Sequence, residues 1–361
     1  MTQRVLCLLF SSLLLPLVLL SAPPAWVRKG PFAYVANFKA GTVSVIDTST
    51  NRVLGTIPAG NNPFCVAVNA TGSRVYVTNP NDNNVSIIDT TTGSVTNVAV
   101  ATPYVVTVNR SGTRVYVGQN GGNEDPHNSV TVIDASSNAV IATITVGRQP
   151  TGLAVNPAET RLYVENSDST LSVIDTGSNA VIATVGLNAT AGASTIVVNP
   201  SGTLAYIGGS DGSQVHVLDT SSNTIIGEIS LNGRPGILAL SPDASRLYVG
   251  EGFNANQVEV IDTTTNSIIA TIRVNSDAGA IAVRSDGARA FLTLASNAVV
   301  VIDTATNTVV DTIGVCGSPT TFSSQFIGPA VVSPAGFGPP VSCGERLPKW
   351  WQVLRSQVMP R

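Results

Sequence analysis

The chain has 361 residues, of which 43% are apolar and only 11% charged, with a formal net charge of −3. This composition excludes intrinsic disorder, and the charge gives no global drive toward nucleic acid or an anionic membrane. Gly, Ser, Thr and Asn are abundant and long Leu/Ala/Glu/Lys stretches are missing, which is the composition of strands and turns.

Residues 1–25, "MTQRVLCLLFSSLLLPLVLLSAPPA", place Arg4 before an apolar run and end on small residues, the layout of a secretory signal peptide. The run over 5–20 is broken by Pro16 and is short for a bilayer crossing of ~20 residues. Export is therefore expected, to the periplasm, the cell surface or the medium; an uncleaved anchor is the alternative. No Cys follows the run, which argues against a lipoprotein anchor.

From residue 31 to 326 one unit recurs. "VSVIDTSTN" at 43 returns as "VSIIDTTTG" at 85, "VTVIDASSN" at 130, "LSVIDTGSN" at 171, "VHVLDTSSN" at 215, "VEVIDTTTN" at 258 and "VVVIDTATN" at 299. Its aspartates, Asp47, Asp89, Asp134, Asp175, Asp219, Asp262 and Asp303, are 41 to 45 residues apart. Before each stands an aromatic–aliphatic pair, "YV" at 34, 76, 116, 163 and 248, "YI" at 206 and "FL" at 291. After each comes a run such as "VIATITV", and a Pro- or Gly-marked run such as "PTGLAVNP" precedes the next aromatic pair. Four short strands per unit, A to D, at this period predict an all-β protein, a seven-bladed β-propeller of four-stranded antiparallel blades. A solenoid needs shorter repeats, and a sandwich does not repeat its sequence. The chain begins on a B strand, "FAYVANF", and its last Pro-marked run, "SPTTFSSQF", leads to no further B strand. These two fragments are expected to complete blade 1, with residues 320–325 as its closing strand.

The repeated aspartate ends strand C within "D-T-x-[ST]-[NG]". A short carboxylate there accepts backbone N–H bonds from the next residues, and Asn or Gly tolerates left-handed angles. Seven copies around a ring predict a turn-forming role. Arg74, Arg114, Arg161, Arg246 and Arg289, which precede strand B, are read as rim residues pairing with carboxylates or carbonyls of the next blade rather than as an anion-binding ring.

"RVYVTN" at 74–79, followed by "NNVSIIDTTTG", resembles the YVTN-type β-propeller repeats of bacteria and archaea. The resemblance covers about residues 32–326, and "TTFSSQFIGP" resembles the closing segment of exported bacterial members. It implies a surface or binding protein, or, through distant relatives, a lactone hydrolase.

A–B and C–D turns share one end of such a ring and are short and uniform ("NATGSR", "NRSGTR", "SPDASR"). B–C and D–A connections share the other end and vary, from "ENSDST" to "GQNGGNEDPHNS". Variable loops on a rigid repeat are the usual place for binding. The candidate binding residues there are Asp82, Glu124, Asp125, Glu165, Asp168, Asp211, Glu251, Arg148 and Arg234, with Asp277 and Lys39 on the same end. Oxygen-rich loops suit hard cations, so calcium is the one cofactor considered; otherwise none is expected, and the metal, if any, is unknown. His127 lies in the long loop, and His216 stands on strand C where it is expected to face a blade edge. No nucleophile elbow, phosphate loop or metal-spaced His cluster is present.

Cys65 in "FCVAV" reads as a buried thiol, while Cys316 and Cys343 are a possible disulfide. Residues 327–361 form a Pro/Gly-rich tail in which Lys349, Trp350, Trp351, Arg355 and Arg361 are either an interfacial anchor or a loosely ordered end. The leading expectation is an exported, monomeric, non-enzymatic scaffold binding a protein, glycan or other surface component, not nucleic acid. The alternative is a lactonase-type hydrolase using carboxylates at the channel mouth.

Overall fold

In the computed structural model, alternation within strand B decides the architecture. The structure describes residues 28–121, 128–187, 195–209, 212–251, 255–315, 317, 319, 326–328 and 331–332. In Arg74–Asn79 the side chains of Val75 and Val77 point to one face of the sheet and Tyr76 to the other. Val75 and Val77 pack with Tyr34 and Val45 of the preceding blade, and Tyr76 packs with Val106, Val115 and Ile133 of the following one. The same step repeats around the ring. Tyr116 meets Leu162 and Val164, Tyr163 meets Ala205 and Ile207, and Tyr206 meets Leu247 and Val249. Tyr248 meets Ala290 and Leu292, and Phe291 meets Ala33 and Val35 of blade 1. All seven aromatics are buried.

The result is a seven-bladed β-propeller of four-stranded antiparallel sheets. Blade 2 consists of strands A Val66–Val68, B Arg74–Asn79, C Asn84–Asp89 and D Val95–Ala99. Blades 3 to 7 occupy 103–145, 150–186, 196–230, 235–273 and 278–314 in the same order. Blade 1 is built from both ends of the repeat region: Phe32–Asn37, Thr42–Asp47 and Arg52–Pro58 are B, C and D, and Ile327–Gly328 is A. Phe32 pairs with Gly328 and Ala33 with Ile327, Tyr34 N donates to Phe326 O at 2.9 Å, and Asn37 bridges Pro319. Residues 320–325, expected to be this strand, lie outside the described residues; the described closing pairs are made by Ile327–Gly328, at the start of the segment expected to be the tail. Arg28–Lys29 pairs with Val331–Val332 just beyond.

Each of the seven aspartates makes the expected turn. Asp219 Oδ1 accepts the N–H groups of Ser221 and Ser222, both at 2.9 Å, and the other six accept one or two N–H bonds in the same way. The fourth residue after each aspartate (Asn51, Gly93, Asn138, Asn179, Asn223, Asn266, Asn307) has positive φ, as the motif predicts. The next residue in the motif adds a second tie: the hydroxyls of Thr90, Thr176, Thr220, Thr263 and Thr304 donate to carbonyls of their own blade's A–B turn.

The rim arginines divide between two partners. Arg74, Arg114 and Arg246 donate to carbonyls in the next blade's hairpin, those of Ala135, Thr176 and Thr304. Arg161 and Arg289 instead pair with the turn aspartate of their own blade, Asp175 and Asp303, each at 2.5 Å. Arg284 closes the ring on this end by reaching Thr48 O at 3.1 Å.

Strand D is the outer edge of every blade. In all blades but blade 2 the C–D register shifts after the first two pairs, so Leu54, Ile141, Ile182, Ile226, Ile269 and Val310 are each an extra bulged residue. The bulge turns two successive aliphatics outward, which is why the Val140–Ile141, Val181–Ile182 and Val309–Val310 pairs are exposed. It also bends the edge away from pairing with another sheet. Among the described residues no helix is long and apolar enough to cross a membrane. Residues 1–27, which contain the expected signal peptide, lie outside the described residues.

Three outcomes follow. Deleting residues from 319 onward removes the partner of Phe32–Ala33 and the fully buried Phe326. The truncated chain should lose roughly 3 kcal/mol or more, the scale of burying an aromatic side chain and its neighbours, and should aggregate through the bared edge; unchanged melting and solubility would refute the clasp. The second concerns acid. Hydroxyl and backbone donors, led by the Ser136 and Ser221 hydroxyls, lower Asp134 and Asp219 to about 2. Because the folded pKa is depressed, this stabilisation is present above about pH 4 and is lost as pH falls toward about 2. An Asp134→Asn/Asp219→Asn chain should show a shallower loss of Tm in that window than the wild type. Asp47→Ala, at a less exposed turn, should cost ~1 kcal/mol by chemical denaturation.

Candidate functional site

Strand B delivers its last side chain to the variable-loop end, on the face turned toward the preceding blade. The third residue of strand C lies diagonally beside it. In blade 1 Asn37 Nδ2 donates to Ser44 Oγ at 2.9 Å and to Thr42 Oγ1 at 3.1 Å. In blade 2 Asn79 Nδ2 donates to Ser86 Oγ at 2.8 Å and Asn84 Oδ1 at 2.9 Å. In blade 3 Gln119 Oε1 accepts from Ser129 Oγ at 2.5 Å and Thr131 Oγ1 at 3.1 Å. In blade 4 Asn166 Nδ2 donates to Ser172 Oγ at 3.0 Å and Thr170 Oγ1 at 3.1 Å. Blades 1 to 4 thus each carry a buried polar socket under their loops.

The D–A connection entering the blade lies on this socket. Ser86 Oγ donates to Ala59 O at 2.5 Å, and Gly147 N donates to Ser172 Oγ at 3.3 Å. The approach is close enough to require glycine: a Cβ on Gly60, which has φ +131°, would lie 2.6 Å from Asn79 Cγ, and one on Gly233 would strike the Glu251 carboxylate. The signal was present in the sequence as a Gly two or three residues past strand D, in "AGNN", "VGRQ" and "NGRP".

The last three blades replace the amide–hydroxyl pair. Blade 7 substitutes Leu294 and Val300, both buried. Blade 5 sets buried His216 behind a glycine, Gly209; its Nδ1 is 3.4 Å from Glu228 Oε1, outside hydrogen-bonding geometry. His216 is thus inside a socket, not at a blade edge. Blade 6 substitutes two acids, Glu251 and Glu259, neither of which has any exposed surface.

The candidate binding residues therefore separate. Asp82, Asp168, Arg148 and Arg234 are exposed at the variable end as expected. Asp82 Oδ2 accepts Asn61 N–H at 2.7 Å, and Asp168 Oδ2 accepts Arg148 N–H at 2.8 Å, so each orders the connection entering its own blade. Glu165 and Glu251 are not on exposed loops. Both are buried strand-B residues, Glu165 facing the following blade and Glu251 facing the preceding one. They look like loop acids in the sequence because strand B ends in polar residues in most blades. Glu124, Asp125, Asp211, His127, Cys316 and Cys343 lie outside the described residues. Cys65 is a buried thiol: its Sγ lies 3.9 Å from Val106 O and burial pushes it up to about 12.

The central channel is lined by strands A. Its cavity of about 220 Å³ is walled by residues such as Val106, Leu153, Val155, Val198 and Leu240, and among the described residues no charged side chain lines it. Three further cavities lie on the turn end. One, of about 350 Å³, is at the channel mouth beside Arg110, and two are grooves where Arg74 and Arg246 reach the neighbouring hairpin. Among the described residues no three His, Cys, Asp or Glu side chains are grouped to hold a metal ion.

Solved structures share the fold. Hydrazine synthase from Kuenenia stuttgartiensis matches with a TM-score of 0.69 and 18% identity over 75% of this chain and 92% of that one. A functionally unknown protein from Desulfotomaculum acetoxidans matches with a TM-score of 0.68 and 19% identity over 84% of this chain and 100% of that one. Dihydro-heme d1 dehydrogenase NirN, in complex with DHE, matches at 0.60 and 14% identity over 80% and 74% of the two chains. At these identities the likeness is one of fold. No protein-family model and no curated protein sequence matches the chain.

The socket makes its own prediction. Asn79→Ala should lower stability by about 1–3 kcal/mol, the cost of leaving the buried Ser86 and the half-buried Asn84 with fewer partners. The paired change Asn79→Leu/Ser86→Val, which copies blade 7, should cost less than the sum of its single changes. A double-mutant cycle that came out additive would show the two positions to be independent.

Proposed function

We propose that this chain is an exported propeller of the YVTN type that acts as a binding scaffold, recognising a protein or glycan of the cell surface through its variable-loop end. The observation that supports this most is the asymmetry of the two ends. On the turn end the recurrent aspartates, threonines and arginines are occupied with one another, with backbone N–H groups and with carbonyls of the turns. On the loop end the connections differ in length and composition from blade to blade, while the sockets beneath keep them on a rigid base. Lys39, Arg148, Asp82 and Asp168 are exposed there on otherwise Asn- and Gly-rich loops. Among the described residues the channel lining carries no charged side chain, so nothing there specifically favours the lactonase-type alternative.

The test uses two charge-matched double variants, Lys39→Ser/Arg148→Ser on the loop end and Arg52→Ser/Arg110→Ser on the turn end. All four residues are exposed, so each change should cost under ~0.5 kcal/mol of stability. Binding of the labelled chain to a glycan array and to intact cell surfaces should fall about tenfold (~1.4 kcal/mol) for the loop-end variant only. Loss confined to the turn-end variant, or equal binding by both, would overturn the proposal.

A further inference from the structure

Blade 6 is the only described blade whose socket holds two acids, and their surroundings treat them unequally. Glu251 ends strand B (Arg246–Glu251), and Glu259 is the third residue of strand C (Gln257–Asp262), the diagonal that Asn79 and Ser86 occupy in blade 2. The connection from blade 5 crosses both. Asn232 gives Glu259 two donors, its Nδ2 at 2.5 Å from Oε1 and its backbone N at 3.3 Å. Glu251 Oε2 receives Gln257 Nε2 at 2.6 Å, and Gly233 N–H also reaches this carboxyl. Glu251 Oε1 is buried and has no donor, although the Glu259 carboxyl is within hydrogen-bonding reach. Two carboxylates cannot share a solvent-free socket with both charges intact. One proton on Glu251, donated to Glu259, satisfies the bare oxygen and leaves the single charge on the carboxylate that Asn232 already solvates.

We infer that Glu251 and Glu259 form a one-proton carboxyl–carboxylate pair that latches the 231–235 connection onto blade 6 and loosens it when the proton is lost. The other charged residues on the surrounding elements are Arg234, directly after Gly233; Arg273, paired with Gln257 on strand D; and Asp277 on the next connection. His216 and Glu228 are the titratable groups of the neighbouring blade 5 socket. Burial first, then the neighbouring Glu259 charge, push Glu251 up to about 7 against the donation from Gln257. For an acid whose folded pKa is raised, the stabilisation is complete below its ordinary value near 4.5 and is lost as pH rises through about 7. The latch is therefore closed in mild acid and slack in mild alkali. It does not depend on what the loop end binds.

The experiment measures Tm and amide hydrogen exchange of the whole chain from about pH 5 to about pH 8.5, with EDTA or with calcium. Wild type is compared with Glu251→Gln, which keeps a donor toward Glu259 without a titrating proton, and with Glu251→Asn/Glu259→Ser, which installs the pair found in blades 1, 2 and 4. Wild type in EDTA should lose several degrees of Tm across the range, and the Asn232 and Gly233 amides should gain exchange beyond the intrinsic pH effect. Both variants should lack that component. Should Glu251→Gln fold poorly, the double variant and the wild-type exchange profile decide the matter alone. Parallel curves for all three proteins would overturn the latch. So would a calcium-dependent rise in wild-type Tm at the alkaline end that disappears in Glu251→Gln, since the two carboxylates would then hold a cation instead of a proton.

Discussion

Burial of strands B and C on both faces is the constraint from which the rest of the structure follows. A blade whose two middle strands are apolar on both sides cannot be stable alone, because half of that surface would meet water at ~25 cal/mol per Å². It needs a blade before it and a blade after it. Tyr76 and Val77 make the point within two residues, since one side chain belongs to the interface with blade 3 and the other to the interface with blade 1. A linear stack would leave two such faces bare at its ends. The ring removes them, and the C-terminal strand beside Phe32–Ala33 ties the first blade to the last part of the repeat region.

Once the interfaces are apolar, polar work is pushed to the two ends and the rim. On the turn end it takes a form the sequence repeats almost letter for letter, because a hairpin of fixed length next to a fixed neighbour has few solutions: the aspartate holds the turn, the threonine ties C–D to A–B, and the arginine crosses to the next blade or braces its own. On the outer edge the solution is a bulge, and its cost is a belt of exposed aliphatics such as Ile141 and Ile226. A strictly alternating strand D would hide those side chains but present a flat, pairable edge. The belt is thus explained by protection of the edge.

Most of the fold was legible because it is written seven times. The period, the four strands per unit, the split blade 1 and the turn role of the aspartates all come from signals that survive averaging over repeats. The sockets were less legible for the opposite reason: they are read only by comparing blades position by position. The residue ending strand B and the third residue of strand C change together, as Asn with Ser, Leu with Val and Glu with Glu. Taken singly, Glu165 and Glu251 look like loop acids, since nothing local in "YVEN" or "YVGEG" says that the strand continues through them. The pairing register says it: Glu165 faces Leu171 and Gly152 across the sheet.

That joint variation also explains why the sockets diverge while the hairpins do not. A hairpin must satisfy its own backbone donors, whose geometry is the same in every blade, so one carboxylate answer serves all seven. A socket must only balance two side chains against a passing connection. Amide with hydroxyl, two aliphatics, or two acids sharing a proton each achieve that balance, whereas a mixture such as Glu251 beside a valine would leave a buried carboxyl with a lost partner. The pair is therefore the unit free to change, provided both members change together. In blade 6 the change has placed a titrating group directly beneath a loop, in a position where the other described blades have none but His216. The scaffold tolerates this because the apolar interfaces on either side, Tyr206 against Leu247 and Tyr248 against Leu292, hold the blade in place whether or not the connection above it is latched.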